Sequence, residues 1–260
     1  NIDFYQDLRL TRLADRKHRR YELEVLKNAD KFVTVSWNWA KDFQKIYKRN
    51  IEVITNGFDQ DDFPKTGLNL DEKFSIVHIG SMNKDRNPHH LWIAISELIT
   101  ELPTMRDKLE IKLIGSNDFS VLQNINKHGL EPWLTLLKDI PHADVLKHAL
   151  TAQVLLLALN NTPNVSGIIP GKIFEYIASR RPVLCIGAEN GDSARIINDT
   201  SSGQTVDFED KVKMKRLLTT YFELYLKNDL KNFSSDFLRY SRKSLCGQMT
   251  RLLNNITKTQ

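Results

Sequence analysis

The chain has 260 residues, of which 41% are hydrophobic and 27% are charged, and its formal net charge at pH 7 is +5. This composition is typical of a globular protein with one or two packed domains, and it excludes a disordered or collagenous chain. The longest apolar run, Val154 to Leu159, is far shorter than the roughly 20 residues of a membrane-spanning helix, which excludes an integral membrane protein.

The first part of the chain predicts a long helix followed by a βαβ unit. Residues 4–28 are polar but carry apolar side chains at helical spacing, which indicates an amphipathic helix. A β-branched strand is predicted at 31–35, a helix at 37–47, and a second strand at 51–54 that ends at the turn sequence Asn56-Gly57.

Beyond this unit, short apolar runs alternate with helical stretches. The acidic segment 59–71 has no clear periodicity and is predicted to be an interdomain linker. Strands are predicted at 74–79, 109–114, 134–137, 154–159, 183–186 and 205–206. Helices are predicted at 88–101, 119–128, 143–150, 171–179, 192–199 and 209–227, with a final basic helical region at 235–258. The alternation predicts an α/β fold, a Rossmann-like doubly wound parallel sheet with helices on both faces.

Positive charge is concentrated at the two ends of the chain. Residues 9–31 hold eight Lys or Arg against four Asp or Glu, and residues 211–258 hold eleven against three. The segment between them has more acidic than basic residues. We therefore do not expect a nucleic-acid groove through the body of the protein.

The loops that follow the strands are the candidates for chemistry, because ligands of open α/β sheets bind beyond the carboxyl ends of the strands. The loop after 74–79 contains Gly80, which allows close backbone approach, and two cations, Lys84 and Arg86. An anion such as a phosphate suits this loop. The alternative is an ordinary polar loop with solvated charges.

A second loop, 166–171, carries two glycines and a proline directly before a predicted helix. Backbone N–H groups at such a helix start face an anion, and Lys172 and Glu175 share one helical face. A ligand with phosphate and hydroxyl groups would use both side chains. The alternative is a surface ion pair worth ~0.3 kcal/mol.

Several familiar catalytic motifs are absent from the sequence. Gly167 to Lys172 is one residue too short for a P-loop and lacks its Ser or Thr, and no Gly-x-Gly-x-x-Gly fingerprint occurs. The seven histidines have no spacing such as His-Glu-x-x-His, and there is no Gly-x-Ser-x-Gly elbow. We therefore do not expect a P-loop NTPase, a dinucleotide-dependent dehydrogenase, a metal centre or a serine hydrolase.

Four segments in fixed order resemble motifs of retaining GT-B glycosyltransferases similar to family 4. They are Ala29 to Ser36, Val53 to Asp59, His78 to Arg86, and Pro170 to Ala178 with the following Arg181 to Leu184. The resemblance covers most of the chain and corresponds to the C-terminal half of such an enzyme. It implies binding of a nucleotide-diphosphate sugar and transfer of the glycosyl group, with retention, to a saccharide or lipid-linked acceptor. No obligatory metal or other cofactor is implied.

The resemblance also implies roles for individual residues. Arg86 and Lys172 would neutralise the diphosphate leaving group, and Glu175 would accept hydrogen bonds from the ribose diol. These three are the implied catalytic residues. The further implied donor-binding residues are Gly80, Ser81, Gly115, Ile140, Gly167, Ile168 and Ile169.

The sequence departs from the family pattern at two of these positions. Ser81 stands where many members have Arg, which leaves Arg86, in the usual Lys position, as the main phosphate cation. Gly167 stands where the first Glu of a Glu-seven-residues-Glu pair is expected, which bears on recognition of the sugar hydroxyls.

The resemblance divides the chain into three parts. Residues 1–58 correspond to the end of an acceptor-binding N-terminal domain, 59–234 to the donor-binding domain, and 235–260 to a C-terminal helical region that crosses toward the N-terminal domain. The first residues lack an initiator Met, a basic leader and an apolar stretch. We therefore expect part of a longer enzyme, which alone binds the donor but transfers sugar poorly.

Two other functions remain open at this point: a GT-B sugar-nucleotide epimerase, and a non-catalytic scaffold built on a degenerate donor domain. The two cysteines, Cys185 and Cys246, are too few for a disulfide framework and favour a cytosolic protein. Related enzymes build bacterial polysaccharides on lipid carriers, so we also expect peripheral contact with the inner face of a membrane.

Overall fold

The N-terminal part of the protein is a helix followed by a small βαβ unit. The structure is a computed structural model that describes residues 10–63, 68–138, 140–231 and 236–257. Helix α1 spans Arg12–Asn28, and strands β1 (Val33–Thr34) and β2 (Glu52–Val53) pair in parallel beside helix α2 (Trp37–Ile46). This arrangement matches the predicted order of elements.

Both strands of this unit are shorter than the predicted 31–35 and 51–54. Strand β1 ends early because Ser36 is the N-cap of α2, and its hydroxyl accepts a hydrogen bond from the Trp39 amide at 3.1 Å. Residues 1–9, which include the start of the predicted helix 4–28, lie outside the described residues.

The main body is a sheet of six parallel strands, ordered β5-β4-β3-β6-β7-β8. The strands are β3 (Phe74–Ile79), β4 (Leu109–Ile114), β5 (Leu134–Leu137), β6 (Val154–Ala158), β7 (Val183–Ile186) and β8 (Gly203–Val206). Their order runs outward in both directions from the central pair β3 and β6. The predicted doubly wound parallel sheet is therefore confirmed.

Helices connect successive strands and cover both faces of the sheet. They are α3 (His89–Glu101), α4 (Pro103–Lys108), α5 (Phe119–Lys127), α6 (His142–Thr151), α7 (Lys172–Ala178), α8 (Asp192–Asp199) and α9 (Lys211–Leu226), followed by α10 (Arg242–Thr257). Alternate residues of the central strands enter two separate cores: Phe74 and Ile76 pack on one face, and Val77 and Ile79 on the other.

The structure differs from the predictions at one helix and refines another. No helix is predicted at 103–108, where Pro103 begins a new helix directly after α3, because proline suits the first helical turn. The predicted helical region at 235–258, of which residues 236–257 are described, consists of a 3₁₀ turn at Phe237–Tyr240 followed by α10. The break falls at Ser241, whose extended backbone pairs with Phe58.

The βαβ unit is fixed to the main body at two places. At the first, the amide of Phe58 donates to the Tyr240 carbonyl at 3.2 Å, and the amide of Arg242 donates to the Phe58 carbonyl at 2.8 Å. The backbones are so close that a Cβ on Gly57 would lie 2.2 Å from the Tyr240 oxygen.

The second place is a buried carboxylate, Asp192 at the start of α8, which is only 3% exposed. It accepts hydrogen bonds from the Ser36 hydroxyl at 2.5 Å, the Asn38 amide at 3.0 Å and the Asn38 side-chain amide at 2.7 Å. The carboxylate therefore lies between the N-termini of α2 and α8, where helix dipoles favour negative charge. Beside it, the Arg195 guanidinium stacks on the Trp37 ring at 4.1 Å.

Across the described ranges, no helix combines the length and the apolar character that crossing a bilayer would need.

We predict that Asp192→Ala lowers the free energy of unfolding by roughly 2–3 kcal/mol, because it leaves buried donors of α2 without an acceptor. The measurement is the urea unfolding midpoint, with the exposed Asp107→Ala, expected to change stability by less than ~0.5 kcal/mol, as the control. Equal midpoints for the two variants would show that the carboxylate does not join the two units.

Candidate functional site

The candidate site lies where β3 and β6 run side by side in the centre of the sheet. The chain leaves β3 toward β4 on one side, whereas it continues from β6 toward β7 on the other. The two connections diverge and leave a crevice beyond the carboxyl ends of the strands, which is the usual ligand site of an open α/β sheet.

Arg86 bridges the two sides of this crevice. It ends a 3₁₀ turn, Lys84–Arg86, whose N-cap Asn83 accepts a hydrogen bond from the Arg86 amide at 3.0 Å. The guanidinium Nε donates to the side-chain oxygen of Asn160, which lies just after β6, at 2.6 Å, and Nη1 donates to the Ser81 carbonyl at 3.0 Å. The guanidinium is therefore held in place, with donors left for an anion.

Lys172 reaches the same place from the first turn of α7. Its Nζ donates to the Ile79 carbonyl at 2.6 Å and to Nε2 of His78 at 3.2 Å. Burial and, after it, the Arg86 charge lower the pKa of Lys172 to about 7, while Glu175 acts in the opposite direction. Lys172 is therefore a partly protonated amine at the end of β3 rather than a solvated surface charge.

His78 supports Lys172 from within the sheet. Its ring is fully buried, and Nδ1 lies 3.0 Å from the Leu156 carbonyl. A carbonyl oxygen only accepts, so Nδ1 carries the proton and Nε2 has a free lone pair. Burial, together with the Lys172 charge, holds the pKa of His78 well below its usual value, so the ring is neutral.

Two glycines keep the floor of the crevice free of side chains. Gly80 and Gly115, which follow β3 and β4, have φ angles of +97° and +117°, a region that favours glycine. A Cβ on Gly115 would lie 2.9 Å from the carbonyl carbon and oxygen of Gly80. Only glycine allows these two loops to approach so closely.

The other predicted residues lie around this centre. Ser81 is exposed, and its carbonyl holds Arg86. Ile140, near the start of α6, is half-buried and packs against the core on the α7 side of the sheet. Glu175 is partly exposed on α7, one turn after Lys172.

The loop that contains Gly167, Ile168 and Ile169 contacts α2 and α8 rather than the two cations. The Asn38 side chain donates to the Ser166 carbonyl at 3.0 Å, and the Ser193 hydroxyl donates to the Ile168 carbonyl at 2.7 Å. A Cβ on Gly167 would lie 2.3 Å from Nε1 of Trp39. Trp39 thus occupies the space that a side chain at position 167 would need.

The structure therefore brings Gly80, Ser81, Arg86, Gly115 and Lys172 into one connected cluster. Three supporting residues are not among the predicted site residues, namely His78, Asn160 and Trp39. The position of a histidine near the end of a predicted strand could have identified His78 from the sequence. No local sequence feature identifies Asn160 or Trp39. Within the described residues, no three His, Cys, Asp or Glu side chains lie close enough together to hold a metal ion.

Comparison with known proteins shows the fold but no sequence family. Neither the protein-family models nor the curated protein sequences contain a match to this chain. Among solved structures, TarM of S. aureus has a TM-score of 0.68 at 15% identity, covering 92% of this chain and 46% of TarM. HepE of Anabaena, in complex with UDP and glucose, has a TM-score of 0.69 at 16% identity, covering 92% of this chain and 67% of HepE.

Sucrose-phosphate synthase of Thermosynechococcus elongatus has a TM-score of 0.68 at 14% identity, covering all of this chain and 67% of that one. The chain has the GT-B fold. It spans 46–67% of the length of these three structures. The GT-B fold that the four motifs indicate is thus confirmed, whereas membership of family 4 and the roles of individual residues stay predictions.

We predict that Gly167→Ala destabilises the protein by roughly 1–3 kcal/mol, because the new methyl group overlaps the Trp39 ring. Gly171→Ala in the same loop is the matched control, since a Cβ there meets nothing within 4 Å and the backbone is already helical. Thermal unfolding of both variants gives the comparison.

The same change in a Trp39→Ala background should cost much less, because the obstacle is gone. A penalty of equal size in both backgrounds would contradict the contact between position 167 and the indole.

Proposed function

We propose that this protein binds a nucleoside diphosphate sugar in the crevice between β3 and β6 and takes part in glycosyl transfer. The observation that carries the proposal is the pair of cations, Arg86 and Lys172, held at the carboxyl ends of these strands beside two glycines. Two fixed cations over a bare backbone suit the two phosphates of such a ligand.

Bound ligands in proteins of the same fold support this proposal. HepE is in complex with UDP and glucose, and TarM is in complex with UDP and a GlcNAc-glycerol. Because the chain spans about half to two thirds of those proteins, we propose donor binding for the described residues and transfer for the complete enzyme. The acceptor would be a saccharide or a lipid-linked saccharide.

The proposed reaction depends on stabilising the negative charge that develops on the diphosphate leaving group. When the bond between the anomeric carbon and the β-phosphate oxygen breaks, negative charge grows on the diphosphate, and Arg86 and Lys172 stabilise it. The acceptor oxygen bonds to the anomeric carbon, and its proton passes to the leaving phosphate. Because two side-chain cations carry this charge, we propose a reaction without an obligatory metal. Because the acceptor gives its proton to the leaving phosphate, it attacks from the face that the phosphate leaves, and we propose retention at the anomeric carbon.

The remaining predicted residues complete the donor site in this proposal. Glu175 accepts hydrogen bonds from the ribose diol, and the base lies against Gly115 and Ile140. The loop of Gly167, Ile168 and Ile169 faces the transferred sugar.

Trp39 favours one alternative, a non-catalytic scaffold that binds a partner protein and does not transfer sugar. Its indole fills the place beside Gly167 where the resembling enzymes carry an acid. A protein of this kind would bind nucleotide weakly or not at all. An epimerase would instead release free sugar from the donor without any acceptor.

We also propose a cytosolic location with contact at the inner face of a membrane. Helix α1 supports this idea, because Leu13, Tyr21 and Val25 are exposed beside several Arg and Lys side chains. Basic and apolar groups on one exposed helix suit an anionic lipid surface.

We predict that calorimetric titration detects binding of UDP-glucose, or of the corresponding guanosine or adenosine sugar. Arg86→Ala, Lys172→Met and Glu175→Ala should each weaken binding by at least ~1 kcal/mol, about fivefold, since each removes a charged hydrogen-bond partner. Lys108→Ala is the control, because this exposed cation lies at the amino-terminal end of β4, away from the carboxyl ends of the strands where the site is.

No heat with any of the three sugar nucleotides would favour the scaffold. Binding that survives all three substitutions would remove the assigned site while leaving donor binding intact.

A further inference from the structure

We propose that His78 is a positioning residue for Lys172, and that the pair takes up a proton when a diphosphate binds at the end of β3. This inference deepens the proposed function and rests on it. It assigns a role to a histidine buried inside the sheet, and it makes donor binding sensitive to pH.

The first step is the geometry of the amine. Two of the three N–H bonds of a protonated Lys172 are directed to the Ile79 carbonyl and to Nε2 of His78. The nitrogen also lies 3.5 Å from the place where a Cβ on Gly80 would be. Because Gly80 has no side chain, the third N–H is accessible to an oxygen of a ligand above that loop.

The second step is the state of the histidine. The Leu156 carbonyl fixes the proton on Nδ1, so Nε2 can only accept, and Lys172 is a donor within hydrogen-bond distance of it. His78 therefore orients the amine of Lys172 without giving it a negative counter-charge. A buried amine whose hydrogen-bond partners are uncharged loses its proton more readily than an exposed one.

The third step is the balance of charge around Lys172. The charged groups that face it are Arg86, from the loop after β3, and Glu175, from its own helix, while His78 is neutral. Burial and Arg86 outweigh Glu175 and bring the pKa of Lys172 to about 7. A diphosphate adds further negative charge, so it binds the protonated amine and raises this pKa.

The direction of the pH dependence follows. Below the pKa that Lys172 has in the ligand-free protein, the amine is already protonated and binding is strongest. As the pH rises through about 7, Lys172 must take up a proton from the solvent when the ligand binds, and the affinity falls by at most tenfold per pH unit.

The experiment measures proton uptake when UDP-glucose binds. Its diphosphate is esterified at both ends, so it lacks the ionisation near pH ~6 of a terminal phosphate. Calorimetry in buffers of different ionisation enthalpy gives the number of protons taken up. For the wild type we expect net uptake above pH ~7, and an affinity that falls about tenfold from pH ~6.5 to pH ~8.5.

Three variants separate the contributions. Lys172→Met should bind more weakly and without proton uptake. His78→Asn keeps a donor for the Leu156 carbonyl but is too short to reach Lys172, so the midpoint of the pH dependence should move to lower pH by about one unit. His78→Gln restores an acceptor at the position of Nε2 and should return the midpoint toward the wild-type value.

The titration of Lys172 can also be measured in the absence of any sugar nucleotide. In NMR spectra of protein with isotope-labelled lysine, the Cε signal of Lys172, identified by its loss in Lys172→Met, should titrate near pH 7 in the wild type and lower in His78→Asn. A titration near pH ~10, as for an exposed lysine, would overturn the inference, as would equal midpoints in both proteins.

The two proposals fail in different ways. No binding at any pH, with Lys172 titrating near 7, would refute the proposed ligand and leave the histidine's role standing. Binding with no proton uptake would refute the inference and leave donor binding standing.

Discussion

A buried amine bonded to the end of the central strand is the interaction around which the candidate site is organised. The Nζ atom of Lys172 donates to the Ile79 carbonyl, and this bond joins α7, which follows β6, to the last residue of β3. It thereby joins the two connections that diverge at the reversal of strand order. A cation placed there is costly to bury unless an anion pairs with it, and this cost is the reason why we propose that the crevice binds an anion.

The fold could be predicted from the sequence because its central strands are buried on both faces. Runs such as Val154–Ala158 and Val183–Ile186 are continuous and apolar, as is typical of strands in a sheet that helices cover on both sides. Strands β1 and β2 are shorter than the sequence predicts, since local propensity does not reveal where a cap ends a strand. The helix that begins at Pro103 is not predicted, because a proline marks a helix start as well as a helix end.

The site could be predicted in part. Gly80, Arg86 and Lys172 stand out because their loops follow strands, and a general rule says where ligands of such sheets bind. The residues that support them could not be found, because their roles depend on tertiary contacts alone. Asn160 holds Arg86 from 74 residues away, and the Lys172 amine meets His78 from 94 residues away.

The structure of the protein with UDP-glucose is the measurement that tests the account most directly. The account predicts a diphosphate within hydrogen-bond distance of both Arg86 and Lys172, above the bare backbone of Gly80, with the ribose on Glu175. A nucleotide bound elsewhere, such as in the cavity beside Tyr225 at the opposite edge of the sheet, would contradict it.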